Sequence, residues 1–183
     1  MSFPKPYADA AARLRVLFGF LMAAAFLWFS QPSAVSLAVG IPVSLAGLAL
    51  RAWAAGHLEK NRELAESGPY AHLRNPLYLG TLTVAAGFAI ASRQWELAVL
   101  FALVFLLVYL PAVELEEQHL RSLFPAYERY AQRVPRLVPR IAAGKGAARP
   151  FQWAQYRRNR EYEALAGYLA GVAVLVWKVL RGS

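Results

Sequence analysis

Gly68-Pro69-Tyr70-Ala71-His72-Leu73-Arg74-Asn75-Pro76-Leu77-Tyr78-Leu79-Gly80 is a polar, proline-bracketed stretch lying between two hydrophobic runs. Pro69 and Pro76 have no N–H to donate, and each biases the residue before it, Gly68 and Asn75, away from the right-handed helical region. The segment between them is therefore not a simple continuation of either neighbouring helix. Pro76 suits the first turn of the next helix, with Asn75 as its N-cap. One guanidinium, one imidazole and two phenols are then held at the mouth of a helix, beside the positive end of its dipole. Such a group is either a site for a polar or anionic ligand at a membrane surface, or a juxtamembrane loop with a basic anchor and interfacial tyrosines. Residue chemistry leaves both open.

The membrane itself is not in question. Of 183 residues, 58% are hydrophobic and only 17% charged, with a mean hydropathy of +0.34. Water-soluble domains run at about 45–50% apolar and about 25% charged. The length suits one compact bundle. With no cysteine, disulfides, thiolate metal sites and a cysteine nucleophile are excluded. His57, His72 and His119 are far apart without metal-binding spacing, so no metal is expected. The net charge of +9 reads as basic flanks facing anionic lipid rather than as a nucleic-acid surface.

Outward from the central stretch, five apolar runs divide the chain. The first, Leu14 to Phe29, resembles a signal-peptide core; no clear cleavage site follows and a second run begins at once, so it reads as a transmembrane helix. The second covers Ala34 to Ala55, with Gly40, Ser44 and Gly47 small enough for close helix contact. The third, Leu77 to Ala91, is short for a span, and Ser92-Arg93-Gln94 turns the chain into the fourth, Trp95 to Val113. Pro111 predicts a kink near its end. Phe124, Tyr127, Tyr130 and Val134 keep a helical period among polar residues, the pattern of an amphipathic helix lying on the membrane, with Pro125 in its first turn. Residues 135–140 read as extended and 141–150 as a Gly/Ala/Lys linker, whose Gly-Lys-Gly is too weak a signal for a phosphate loop. Phe151, Trp153, Tyr156, Arg157, Arg158 and Arg160 form an aromatic and basic belt before the fifth run, Ala164 to Leu180. Gly167 and Gly171 there have the spacing for close packing, within the bundle or in a homodimer. Five spans put all but Arg93, Lys178 and Arg181 of the 20 Lys and Arg residues on one side. The positive-inside rule makes that side cytoplasmic, with the N-terminus there and the C-terminus opposite.

Runs three and four form a hairpin, which returns two polar groups to one membrane face. One is Tyr70, His72, Arg74, Asn75 and Tyr78. The other is Glu114, Glu116, Glu117 and Arg121. Ordinary surface pairing of Glu117 with Arg121 would be worth only a few tenths of a kcal/mol; carboxylates this close to the hydrocarbon edge are costlier and more informative.

Gly68-Pro69-Tyr70, Arg74-Asn75-Pro76-Leu77-Tyr78-Leu79-Gly80, Glu116-Glu117-Gln118-His119-Leu120, Phe124-Pro125-Ala126-Tyr127-Glu128-Arg129-Tyr130 and Val134-Pro135-Arg136 together closely resemble the isoprenylcysteine carboxyl methyltransferases and the related phospholipid N-methyltransferases. Order, spacing and membrane context agree over residues 66–140. The resemblance implies an all-α, polytopic membrane bundle and an S-adenosylmethionine-dependent methyltransferase. Its cofactor site would face the cytosol and be formed by Tyr70, His72, Arg74, Asn75, Tyr78, Glu116 and Glu117. An arginine and a helix N-terminus suit the cofactor's carboxylate, and a carboxylate suits its ammonium.

Two positions depart from that family pattern. Asn75 stands where the family has histidine, so a role needing imidazole is lost unless His72 supplies it, although an amide still hydrogen-bonds. Pro125 stands where the family has glycine. Methyl transfer is an in-line displacement that depends on positioning and desolvation. A carboxylate acceptor needs a cation to orient it, Arg136 or, second, Arg133; an amine acceptor needs a base, Glu117 or a water. The acceptor is expected to be a hydrophobic, lipid-like molecule entering sideways between helices from the membrane lipids. An NADPH-dependent reductase of a sterol-like lipid, using Arg157, Arg158 and Arg160 on the phosphates, and a non-catalytic membrane scaffold are the alternatives.

Overall fold

The computed structural model describes residues 3–141 and 149–182. Among them there are seven helices and no strand: α1 Lys5–Phe29, α2 Ala34–Ala55, α3 Pro76–Ser92, α4 Trp95–Leu123, α5 Tyr127–Arg133, α6 Trp153–Arg158 and α7 Tyr162–Leu180. The fold is the expected all-α membrane bundle. Residues 142–148 of the expected linker, with its Gly-Lys-Gly, lie outside the described residues.

Four helices, α1, α2, α4 and α7, are long and apolar enough to cross a membrane. The fifth expected span, α3, has 17 residues, about 25 Å at 1.5 Å per residue, against a hydrocarbon core of about 30 Å. It reaches its partner by contact rather than length. A Cβ built on Gly47 would stand 2.6 Å from the Gly80 carbonyl oxygen, and one on Gly40 2.4 Å from that of Gly87. Ser44 Oγ donates to the Gly40 carbonyl at 2.9 Å and approaches that of Val84 at 3.3 Å. The two backbones therefore touch along most of α3, as the small residues of the second run predict.

Arg93, left-handed at φ +56, closes α3 and starts the turn into α4. Within α4, residues Phe105–Tyr109 widen into a π-helical turn just before Pro111, so the proline's effect appears as a bulge one turn upstream. Pro111 offers no N–H to the Leu107 carbonyl, which accepts from the Tyr7 hydroxyl at 2.5 Å. Large side chains such as Phe20, Trp28 and Leu106 point outward, as a lipid-facing surface requires.

The polar end departs from one expectation. Tyr127, Tyr130 and Val134 of the amphipathic stripe are buried against Leu64, Leu120 and Phe124, so α5 covers protein, not lipid. Amphipathic periodicity gives the apolar face but not what lies under it. The helix begins at Tyr127, with Pro125 in the turn ahead of it. The aromatic belt is fixed to the end of α2: Asn159 Nδ2 donates to the Ala55 and Leu58 carbonyls, both at 2.9 Å.

Candidate active site

Two backbone features bring the motifs together. Gly68, at φ +56, opens a 3-10 turn over Gly68–Ala71, and a Cβ there would meet the His57 ring at 2.7 Å. The extended segment after Val134 then lies across the residues ahead of α3. Arg74 N–H donates to the Pro135 carbonyl at 2.8 Å, Asn75 N–H to that of Arg136 at 3.2 Å, and Arg140 N–H to that of His72 at 3.2 Å. The Val134-Pro135-Arg136 motif thus meets the Arg74-Asn75-Pro76 motif through backbone hydrogen bonds.

At their junction sits Glu117, whose side chain is 1% exposed. Asn75 Nδ2 donates to its Oε1 at 3.0 Å, and Arg136 donates to Oε2 from Nη2 at 2.9 Å and from Nε at 3.2 Å. Arg74 Nε stands 3.4 Å from Oε1, close enough for an ion pair but without hydrogen-bond alignment. Asn75 occupies the N-cap position of α3, as expected, but its side chain does not cap: it goes to Glu117 and to the Arg136 carbonyl. A buried carboxylate competes better for the amide than the first-turn N–H groups do, because a buried charge without donors is costly.

Glu116, one residue earlier and so about 100° round the helix, faces another way. Tyr78 Oη donates to Glu116 Oε2 at 3.0 Å and accepts from Arg15 Nη1 at 2.7 Å. The Tyr78 ring meets Tyr109 edge to face, with centroids 6.5 Å apart. A third cluster lies one turn further along α3: Arg51 Nε donates to Glu161 Oε1 at 2.5 Å, and its Nη1 to Thr81 Oγ1 at 2.6 Å. Burial, with Tyr130, Glu116 and Glu161 adding negative potential, pushes the Tyr70 phenol far above its usual range. It stays a neutral donor.

Of the residues expected to form the site, Arg74, Asn75, Glu117 and Arg136 converge in one network, and Tyr78 with Glu116 in the next. Tyr70 lies in the 3-10 turn beside α2, its carbonyl accepting from Tyr130 Oη at 2.9 Å. His72 does not join them; its Nδ1 lies 2.9 Å from the Arg140 carbonyl, and its ring packs near Trp53. It does not take the place of the family histidine. Arg133 is also apart, 3.5 Å from Glu66. Sequence reading missed Arg15 and Arg51, although the signal was available in both: a charge within or against an apolar run.

Five buried polar atoms have no hydrogen-bond partner among the described residues, all toward this polar end of the bundle: Arg74 Nε, Glu114 Oε2, Tyr127 Oη, Arg140 Nε and Gln155 Oε1. Beside the site, α1, α2, α3, α4 and α7 surround a cavity of about 410 Å³ that is apolar except for Arg51, Thr81 and the tyrosines at its edge. Among the described residues no group of three or more His, Cys, Asp or Glu could hold a metal ion.

Comparison with known proteins gives two relatives and one family. The chain is 35% identical over 106 residues to the cobalt-zinc-cadmium resistance protein CzcN of Cupriavidus metallidurans, covering 57% of this chain and 49% of that protein. It is 38% identical over 118 residues to the nickel-cobalt-cadmium resistance protein NccN of Alcaligenes xylosoxydans xylosoxydans, covering 63% and 54%. The chain thus spans about half the length of the curated relatives it matches. No solved structure matches it. The model of the phospholipid methyltransferase family matches residues 14–127, a span that runs from within α1 through both glutamates and so includes each polar cluster except the Arg136 strap and Glu161. With four membrane-length helices and that match over more than half its length, the chain is a multi-pass membrane protein of the phospholipid methyltransferase family.

Proposed function

We propose that this protein transfers a methyl group from S-adenosylmethionine to a hydrophobic, membrane-embedded acceptor, with the cofactor site on the cytoplasmic side. The observation that carries the reading is a pair of buried groups without hydrogen-bond partners at this end of the bundle, the Nε–H of Arg74, which only ion-pairs with Glu117, and a carboxylate oxygen on Glu114. Together they complement an amino-acid zwitterion, the carboxylate going to Arg74 and the ammonium to Glu114. The charge count agrees: Arg74 and Arg136 stand against Glu117 and Glu114, two cations to two carboxylates, and a balanced set suits a zwitterionic group. The residues present therefore fit the cofactor.

Arg74, Glu114 and the helix end at Asn75 would hold it, and when bound it supplies an electrophilic methyl on a sulfonium. Glu117 and Arg136 serve in this reading to lock the motifs together, since each is occupied by the other. Arg136 commits only Nε and Nη2 to Glu117 and its side chain is 31% exposed, so its Nη1 group can orient an acceptor while those bonds stay in place. The more accessible Glu116, tied through Tyr78 to Arg15, is placed to orient an acceptor or take its proton. The acceptor's apolar part would occupy the cavity that Tyr109 borders. Catalysis rests on holding two reactants in line in a site shielded from water. The names of the two relatives suggest that the methylated product serves metal resistance.

The test is calorimetric titration of S-adenosylhomocysteine into the detergent-purified protein, with Arg74→Ala and Glu114→Gln in parallel. Micromolar binding lost in both variants is the expected result, and saturating ligand at 100 times Kd adds about 2.7 kcal/mol of stability. No binding by folded protein, or stabilisation by NADPH instead, would overturn the proposal.

A further inference from the structure

An ionisable side chain among hydrocarbon-facing helices marks a functional position and needs a stated partner. Arg51, the one charged residue of α2, has partners for three of its five N–H groups: Nε donates to Glu161, and Nη1 to Thr81 Oγ1 and to the Leu77 carbonyl at 3.3 Å. The two N–H groups on Nη2 have no hydrogen-bond partner among the described residues. Arg51 lines the 410 Å³ cavity together with Thr81 and Tyr109, while Met22, Phe26, Val84, Phe88 and Phe101 make its remainder apolar. The volume lies in the lower part of the range for small-molecule sites, about 300–1,000 Å³.

Resting on the reading of this cavity as the acceptor's site, we infer that Arg51 Nη2 holds an oxygen on the head of a single-chain amphiphile whose tail fills the cavity. Arg51 thereby sets how deeply the acceptor sits relative to Glu116 and Tyr78. Glu161 already balances the arginine's charge, so the oxygen need not be anionic: a carbonyl, an ester or a phosphoryl oxygen would serve. The guanidinium is fixed by three hydrogen bonds before any ligand arrives, which lowers the entropy lost on binding.

The test is photolabelling of the full chain in detergent with three diazirine-tailed probes: a fatty acid methyl ester, a lysophosphatidic acid and a plain alkane. Arg51→Gln combined with Glu161→Gln removes both charges and leaves no stranded carboxylate. Labelling by the two headed probes falls about tenfold or more, while the alkane is unaffected. If that double variant fails to fold, Arg51→Lys decides, because it keeps the ion pair and loses Nη2; the same fall is expected. Gly167 lines the cavity and a Cβ there meets nothing within 4 Å, so Gly167→Leu has room to occupy the cavity and block all three probes. Whichever headed probe labels more strongly identifies a phosphate head or an uncharged ester as the source of the oxygen. Undiminished headed labelling in the Arg51 variants, or in Gly167→Leu, overturns the assignment. S-adenosylhomocysteine titration separates the two proposals: if the wild-type protein binds none while headed labelling still depends on Arg51, the cofactor reading falls and this one stands.

Discussion

Replacing Glu117 with glutamine keeps the shape of the side chain and its acceptor for Asn75, but removes the charge that Arg74 and Arg136 share. Breaking a buried ion pair by removing one partner costs about 3–5 kcal/mol. Here the two stranded cations differ. The Arg136 side chain is 31% exposed and can rehydrate, whereas Arg74 is 11% exposed and cannot do so without moving. The loss should accordingly come to about 2–3 kcal/mol, which at about 2–4 °C per kcal/mol for a chain of this size lowers Tm by about 4–12 °C. Glu116→Gln is the control: that carboxylate is exposed and its variant loses no more than about 1 kcal/mol. Thermal unfolding of both variants in one detergent gives the comparison. A cycle pairing Glu117→Gln with Arg136→Met should show coupling of about 1–3 kcal/mol. Equal losses in the two glutamine variants, or a neutral Glu117→Gln, would refute the assignment of Glu117 as the buried tie between motifs.

Asn75→Ala removes a hydrogen bond to a charged acceptor and should lower stability by about 1.5–3 kcal/mol, measured by the same melts; Asn75→His, which restores a donor, should recover most of it. Gly47→Val drives a side chain into the Gly80 carbonyl 2.6 Å from its Cβ, so α2 and α3 must separate, and the variant is expected to lose detergent-stable monodisperse protein on size-exclusion chromatography. Burial, with the Glu117 charge nearby, lifts the Tyr127 phenol from 10.0 to about 12. The folded chain therefore keeps a proton that the unfolded chain gives up, and the stability this contributes is complete below pH 10 and lost as pH rises to 12. The loss is on the order of 2 kcal/mol. Tyr127→Phe should flatten the fall of Tm over that window, and an unchanged slope would count against the burial of that hydroxyl.

Most of the bundle was legible in the sequence because membrane helices announce themselves by composition, and the Gly40, Ser44 and Gly47 spacing named the tight α2–α3 contact. The Glu and Arg motifs were legible as a site, but their partners were not. Asn75 reads locally as an N-cap; only the long-range approach of α4 gives it a carboxylate to prefer. The stripe Tyr127, Tyr130 and Val134 has the same period whether it meets lipid or protein, and Leu64, which helps to cover it, belongs to an unpatterned loop. His72 is the histidine nearest Asn75 in the sequence, but the 3-10 turn and the Arg140 contact point its ring elsewhere.

The adjacent pair Glu116-Glu117 shows why one motif has to be read in three dimensions. Two carboxylates next to each other on a helix set out about 100° apart, so here they meet different partners. Glu117 turns into the protein and takes on two arginines and an amide; Glu116 turns toward α1 and α3 and keeps an accessible edge. A histidine at position 75 could add positive charge to a junction that already has two cations for one anion, whereas the amide donates the same kind of hydrogen bond and stays neutral at every pH. Asn75 is thus compatible with an intact junction, and its presence argues against reading the departure from the family pattern as loss of the site. What the substitution removes is a titratable group, so binding at this site should lack any pH dependence that an imidazole at position 75 would have introduced between pH 5 and 8.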